Sequence, residues 1–210
     1  MTEAMKSAAG LAAEELLEAT LALARRALAD PCWDHLRAAL PDGSPPARRE
    51  VVPRPLPVMA WLNGIEDRAA PDTRDLCAVL CRTAPQLAWG QTYGVDDFGA
   101  GFLERYGWTE VLGQRGPFVS DSIACGFLLL GPGVEYPRHR HEAEEIYLIL
   151  SGTAEWLKDD HGFVPRPPGA LIHTPPLCWH GIRTGDQALL VLYLWSAGDL
   201  TQKSEVRPIG

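Results

Sequence analysis

Four residues of this chain, His139, His141, Glu145 and His180, are of the types and at the spacings that hold a metal ion. The first three lie in Gly133-V-E-Y-P-R-His139-R-His141-E-A-E-Glu145-I-Y-L-I-L-S-Gly152, and the fourth closes Gly169-A-L-I-H-T-Pro175-P-L-C-W-His180. His139, His141 and Glu145 share one parity. Alternate residues of an extended strand face the same side, so these side chains can converge on one ion, with His180 joining from a neighbouring strand. Glu144 competes with Glu145 for the carboxylate position, and both spacing and parity favour Glu145. Imidazoles with one carboxylate suit a borderline divalent ion such as Fe(II), Zn, Mn, Ni or Co, and the residues do not choose among these. Four protein ligands on an octahedral ion leave positions open for substrate or water, the arrangement of a catalytic metal.

The neighbours of these residues read as structural. Arg138 and Arg140 have the opposite parity and should point away from the ion. His173 is expected to be structural or to sit behind the ligands, His161 to lie in a turn after Asp159-Asp160, and His35 to be exposed on a short helix.

The elements that would position the site fall in two regions, 1–107 helical with a proline-rich linker and 108–210 mainly β. Residues 2–30 carry leucines among many alanines, which predicts a long helix ended by Asp30-Pro31. A shorter helix holds Trp33, Leu36 and Leu40. Pro41 to Pro57 form the linker, and a further helix runs from a cap at Asp72 to about Leu87. From Trp108 onward, short apolar runs separated by Gly, Pro and Asp predict an antiparallel β-sandwich or barrel. The stretch Gly94-V-D-D-F-Gly99-A-Gly101 lacks the Lys-Ser/Thr of a phosphate loop. It is expected to link the two regions, where it could act as a lid.

At 210 residues, 46% hydrophobic and 22% charged, the composition suits one domain with an extension. The net charge of −8 argues against nucleic-acid binding, which needs a concentrated basic surface. No apolar run is long enough for a membrane span, and the acid-interrupted N-terminus does not read as a signal peptide, so the expected location is cytoplasmic. Five scattered cysteines fit reduced thiols rather than a disulfide framework. Covering the sheet edges and the alanine-rich helix would favour a homodimer.

The fixed positions of both stretches resemble the paired motifs of the cupin superfamily, with Leu177 in place of a usual glycine and Thr184 in place of a usual asparagine. The resemblance covers roughly the last hundred residues and implies a single β-barrel. Within the superfamily, Y-P-x-H-x-H-x-A-E-E-x-Y-x-x-L-S-G with a late strand tryptophan is similar to the dimethylsulfoniopropionate (DMSP) lyase family. That family carries a helical region before its barrel and cleaves DMSP to dimethyl sulfide and acrylate. The resemblance implies His139, His141, Glu145 and His180 as metal ligands, Tyr147 as the base, and Tyr136 and Trp195 as aromatic walls around the substrate. By strand alternation Tyr147 shares the ligand face, although filling the barrel would also place it there. Tyr136 has the opposite parity to His139 and needs a perturbation at Pro137 to reach the site. Tyr193 shares the parity of Trp195 and is an equal candidate for the substrate pocket. The implied partner is a small sulfonium carboxylate. The alternatives are a cupin dioxygenase or isomerase acting on another small carboxylate, with DMSP cleavage at most a side activity, and a non-enzymatic cupin, which the complete ligand set disfavours.

Overall fold

A computed structural model describes residues 3–207. Its helices are α1 (Glu3–Ala27), α2 (Asp34–Ala39), α3 (Arg74–Thr83), α4 (Val95–Phe98) and α5 (Ala100–Leu103). The strands are β1 (Trp89–Gly90), β2 (Tyr106–Gly113), β3 (Phe118–Val119), β4 (Ile123–Leu130), β5 (Glu135–Arg140), β6 (Glu144–Ser151), β7 (Ala154–Lys158), β8 (Phe163–Arg166), β9 (Leu171–Thr174), β10 (His180–Thr184), β11 (Leu189–Ser196) and β12 (Glu205–Val206). Seven strands form one sheet in the order β1-β2-β4-β11-β6-β9, with β3 alongside β2. Five form a second in the order β12-β5-β10-β7-β8.

Strand parity explains why β4, β6 and β11 read as unbroken apolar runs. Tyr147, Ile149, Val191 and Tyr193 face the interior, where they meet Tyr136, Trp156 and Ile182 of the second sheet. Ile146, Leu148, Leu192 and Leu194 face the other way and pack under Leu16, Leu28, Leu36, Leu76 and Leu80 of the helices. Both faces are therefore dry. The N-terminal helices act as a lid on the outer face of the large sheet, and each leucine they bury there stabilises the fold by roughly 2 kcal/mol. This is the cupin barrel with an N-terminal helical region that the motifs imply.

Two details of the helices depart from the sequence reading. The third helix begins at Arg74 after Thr73 rather than at a cap on Asp72, and no side chain caps it. Thr73 instead donates its hydroxyl to the carbonyls of Ala70 and Leu150, tying the helix start to β6. The helix ends at Thr83, short of Leu87, because Pro85 opens a 3-10 turn over Ala84–Gln86.

The two departures from the cupin motif have different consequences. Thr184 donates its hydroxyl to Gly131 O and accepts the amide of Val134, both at 2.8 Å, so it holds that corner as a hydrogen-bonding side chain. Leu177 sits at φ +60 and is 54% exposed. A left-handed conformation costs a residue with a Cβ about 1–2 kcal/mol, partly offset by the smaller entropy of its unfolded chain. Leu177→Gly is therefore expected to stabilise the fold by up to about 1 kcal/mol, measured as a higher urea midpoint at unchanged slope.

Candidate metal centre and its cavity

His139 on β5, His141 just beyond it, Glu145 on β6 and His180 on β10 meet in the interior, and all four are buried. One ligand nitrogen from each histidine lies within 4.8 Å of the others. That is close to the span of about 4.2 Å allowed by two metal–nitrogen bonds of about 2.1 Å. Glu145 Oε2 lies 3.1 Å from His141 Nε2 and 3.2 Å from His180 Nε2.

Backbone carbonyls fix the tautomers. The Nδ1 atoms of His139, His141 and His180 lie 2.8, 2.9 and 3.0 Å from the carbonyl oxygens of Pro137, Ala143 and Cys178. A carbonyl only accepts, so each Nδ1 carries the proton and each Nε2 presents a lone pair. The contact between His141 Nε2 and Glu145 Oε2 then joins two acceptors, and His180 Nε2 is buried without a hydrogen bond. A divalent cation would satisfy all of these atoms together.

The charge states suit the same conclusion. Burial, reinforced by His180, pushes the His139 imidazole well below its ordinary range, which keeps it neutral. Burial opposes ionisation of Glu145, but positive charge on the side of His141 and His180, which a bound cation would supply, outweighs it and holds the carboxyl below the usual range. Neutral imidazoles and an ionised carboxylate are the ligand forms.

A β-bulge brings Tyr136 to this centre. His139 pairs with His180 and Tyr136 with Ile182, so Pro137 and Arg138 stand opposite Gly181 alone. The extra residue reverses the parity of β5, and Tyr136 faces inward beside His139 with ring centroids 4.3 Å apart. Tyr147 packs against Trp156 at 5.2 Å and faces His180 at 6.2 Å. Trp195 lies 4.1 Å from the His141 ring and donates its indole N–H to Glu145 Oε1 at 2.5 Å. Its contact with the cluster is thus a hydrogen bond to the carboxylate as well as an aromatic face. Trp195→Phe removes that donor and is expected to weaken metal binding by about 10-fold or more, read by equilibrium dialysis against Mn(II) or Zn(II).

Glu144 turns out of the centre to bridge His35 at 3.0 Å and His173 at 2.8 Å, which ties α2 to β6 and β9. His173 has the structural place expected of it, whereas His35 is partnered as well as exposed. Arg138 and Arg140 point away from the cluster, to Asp160 and Glu205.

A cavity of 350 Å³ adjoins the cluster through Glu145 and is walled by Tyr136, Tyr147, Tyr193 and Trp195. Sequence reasoning missed the rest of its wall. Tyr106, Trp108 and Glu110 on β2 face it, and their common parity was the available signal. Residues 200–204 also border the cavity. Arg115 bonds Thr201 O at 2.6 Å, and Lys203 reaches Asp97 at 3.3 Å. The glycine-rich stretch forms α4 and α5, whose Phe98 and Phe102 join Tyr93 and Tyr106 in an aromatic cluster against Tyr136.

An antiparallel barrel with three converging histidines defines a cupin carrying a candidate metal site. The chain belongs to the dimethylsulfoniopropionate lyase family, whose model matches residues 32–191. It is 34% identical over 162 residues to dimethylsulfoniopropionate lyase DddQ of Ruegeria pomeroyi, spanning 77% of this chain and 79% of that protein. It is 31% identical over 159 residues to a putative dimethylsulfoniopropionate lyase, DddL, of Cereibacter sphaeroides, spanning 73% of this chain and 65% of that one. The crystal structure of DddQ from Ruegeria pomeroyi superposes with a TM-score of 0.82 at 31% identity, over 93% of this chain and 95% of that one. Among the described residues, no helix is long and apolar enough to cross a membrane.

Proposed function

We propose that this protein is a metal-dependent carbon–sulfur lyase that cleaves DMSP to dimethyl sulfide and acrylate by β-elimination. The observation that supports the reading is that Tyr147 lines one cavity with Glu145, the member of the carboxylate–histidine cluster that borders it, in a chain of the DMSP lyase family. His139, His141, Glu145 and His180 would hold a divalent transition ion, with Fe(II), Zn, Mn, Ni and Co all compatible with the donor set. When bound, that ion supplies Lewis acidity toward the substrate carboxylate and positive charge that favours a phenolate nearby.

The chain's own groups do the rest. Burial, with the charge of Glu145 two residues away, pushes the Tyr147 phenol well above its ordinary range. Its conversion to a base therefore depends on a compensating cation. As the phenolate, Tyr147 takes a proton from the carbon next to the carboxylate. The electrons of that C–H bond form the C=C bond of acrylate, the C–S bond breaks, and its pair leaves on sulfur as neutral dimethyl sulfide. The proton left on Tyr147 returns to solvent before the next turnover. Trp195 orients Glu145 and, with Tyr136 and Tyr193, offers ring faces to the sulfonium, a cation with no hydrogen-bond donor.

The chemistry requires no oxidant. Dimethyl sulfide should be released equally under air and under nitrogen, and turnover that needs oxygen would place the site in dioxygenase chemistry instead.

A further inference from the structure

Glu110 is a carboxylate that the elimination does not use, yet it lines the same 350 Å³ cavity as Glu145 and Tyr147. The residue is 5% exposed. Its Oε1 accepts the backbone amides of Arg115 and Gly116. Among the described residues its Oε2 accepts no hydrogen bond and the carboxylate makes no salt bridge, and the residue borders the cavity. Arg115 and Arg49 are near enough for their charges to act on it, and Arg115 and Lys203 line the same cavity, but none of the three makes a salt bridge to Glu110 among the described residues. The Arg115 guanidinium stands 5.4 Å over the Trp108 ring and bonds Thr201 O, Arg49 bonds the carbonyls of Gly113 and Gln114, and Lys203 pairs with Asp97. Burial pushes the Glu110 carboxyl above its usual range despite the two amides and the Arg115 and Arg49 charges. A buried carboxylate without a direct salt bridge gains from a further cation that reaches it.

Sheet register shows where that cation would come from. Glu110 pairs with Gly126, Gly126 with Tyr193, and Tyr193 with Tyr147, so these residues form one row across four strands. Paired residues share a face, and this face is the cavity wall. Gly126 brings no side chain, and the tip of Tyr193 fills its place: a Cβ there would stand 2.9 Å from the Tyr193 hydroxyl. The row therefore runs from the proposed base to a carboxylate without a salt bridge, with the Tyr193 phenol between.

We propose that Glu110 is the counter-charge that makes this cavity select a cationic substrate, drawing the sulfonium end of the zwitterion toward β2 while its carboxylate faces the histidine centre. The identity of the zwitterion rests on the lyase reading, whereas the preference for positive charge does not. Aromatic faces bind a cation but tolerate a neutral isostere well, and a fixed carboxylate in a water-poor cavity adds discrimination. Glu110 is a specificity residue and touches no reacting atom, so its removal should act on KM more than on kcat.

The test measures competitive binding of two probes to the metal-loaded protein. They are the zwitterion 3-(trimethylammonio)propionate, which keeps the cationic end, and 4,4-dimethylpentanoate, its isostere with an uncharged tert-butyl end. The wild type should prefer the zwitterion by roughly tenfold or more, and Glu110→Gln, which keeps an oxygen for the two amides, should reduce that preference to about twofold. The same variant should raise KM for DMSP more than it lowers kcat. Wild-type preference retained by folded, metal-loaded Glu110→Gln would overturn the inference and leave the lyase reading intact. Equal binding of both probes by the wild type would overturn it without any variant. Loss of preference in a protein that releases no dimethyl sulfide would uphold the charge selection and remove DMSP as the substrate.

Discussion

Tyr147→Phe is expected to lower kcat/KM for DMSP cleavage by about 10²–10⁴ while leaving bound metal near wild-type stoichiometry. The substitution removes only the hydroxyl. The ring keeps its place against Trp156 and His180, and the three histidines keep their backbone-fixed orientations. Loss of activity with metal retained would separate a chemical role for the phenol from a packing role. Headspace dimethyl sulfide together with metal analysis of the same sample reads both quantities, and full turnover by the phenylalanine variant would remove Tyr147 as the base.

His141→Ala is expected to lose metal and lyase activity together. His141 faces Glu145 Oε2 and packs against Trp195, so on the proposed ligand set its removal would strip one ligand and loosen a second. The loss of metal affinity should exceed the roughly 10–100-fold that removing an outer partner costs, and so should exceed the effect of Trp195→Phe. Ligation also couples to folding. Saturating Mn(II) or Zn(II) should raise the unfolding midpoint of the metal-free wild type, because an ion held only by the folded state stabilises it by mass action. His141→Ala should show little of that shift. An unchanged metal content in this variant would place the ion elsewhere.

What could be read without coordinates was what a single strand encodes. The parity of His139, His141, Glu145 and Tyr147 is a local property, and so are the apolar runs separated by turn residues that mark the barrel. Tyr136 needed more, because its inward direction comes from a bulge, and a bulge is defined by the partner strand, here Gly181 opposite Pro137 and Arg138. Glu144 and Glu145 could be ranked by spacing, but what occupies Glu144 depends on His35, 109 residues away. The apolar outer face of β11 likewise has meaning only once α1 to α3 cover it. Residues 200–204 carry no motif. They border the cavity because Arg115 and Asp97 hold them there, contacts across 86 and 106 residues that no periodicity announces. Glu110 was within reach through its parity with Tyr106 and Trp108, but a carboxylate on a strand reads as a solvent-facing residue until both faces are known to be buried.

The central claim is tested most directly by headspace dimethyl sulfide from purified protein given DMSP under nitrogen, first stripped of metal and then resupplied with Fe(II), Mn(II), Ni(II) or Zn(II). The structure and its family predict no release from the stripped protein, and release restored by at least one ion at about one turnover per second or faster. Metal bound in full with no dimethyl sulfide released would contradict the claim and assign this cavity to another substrate.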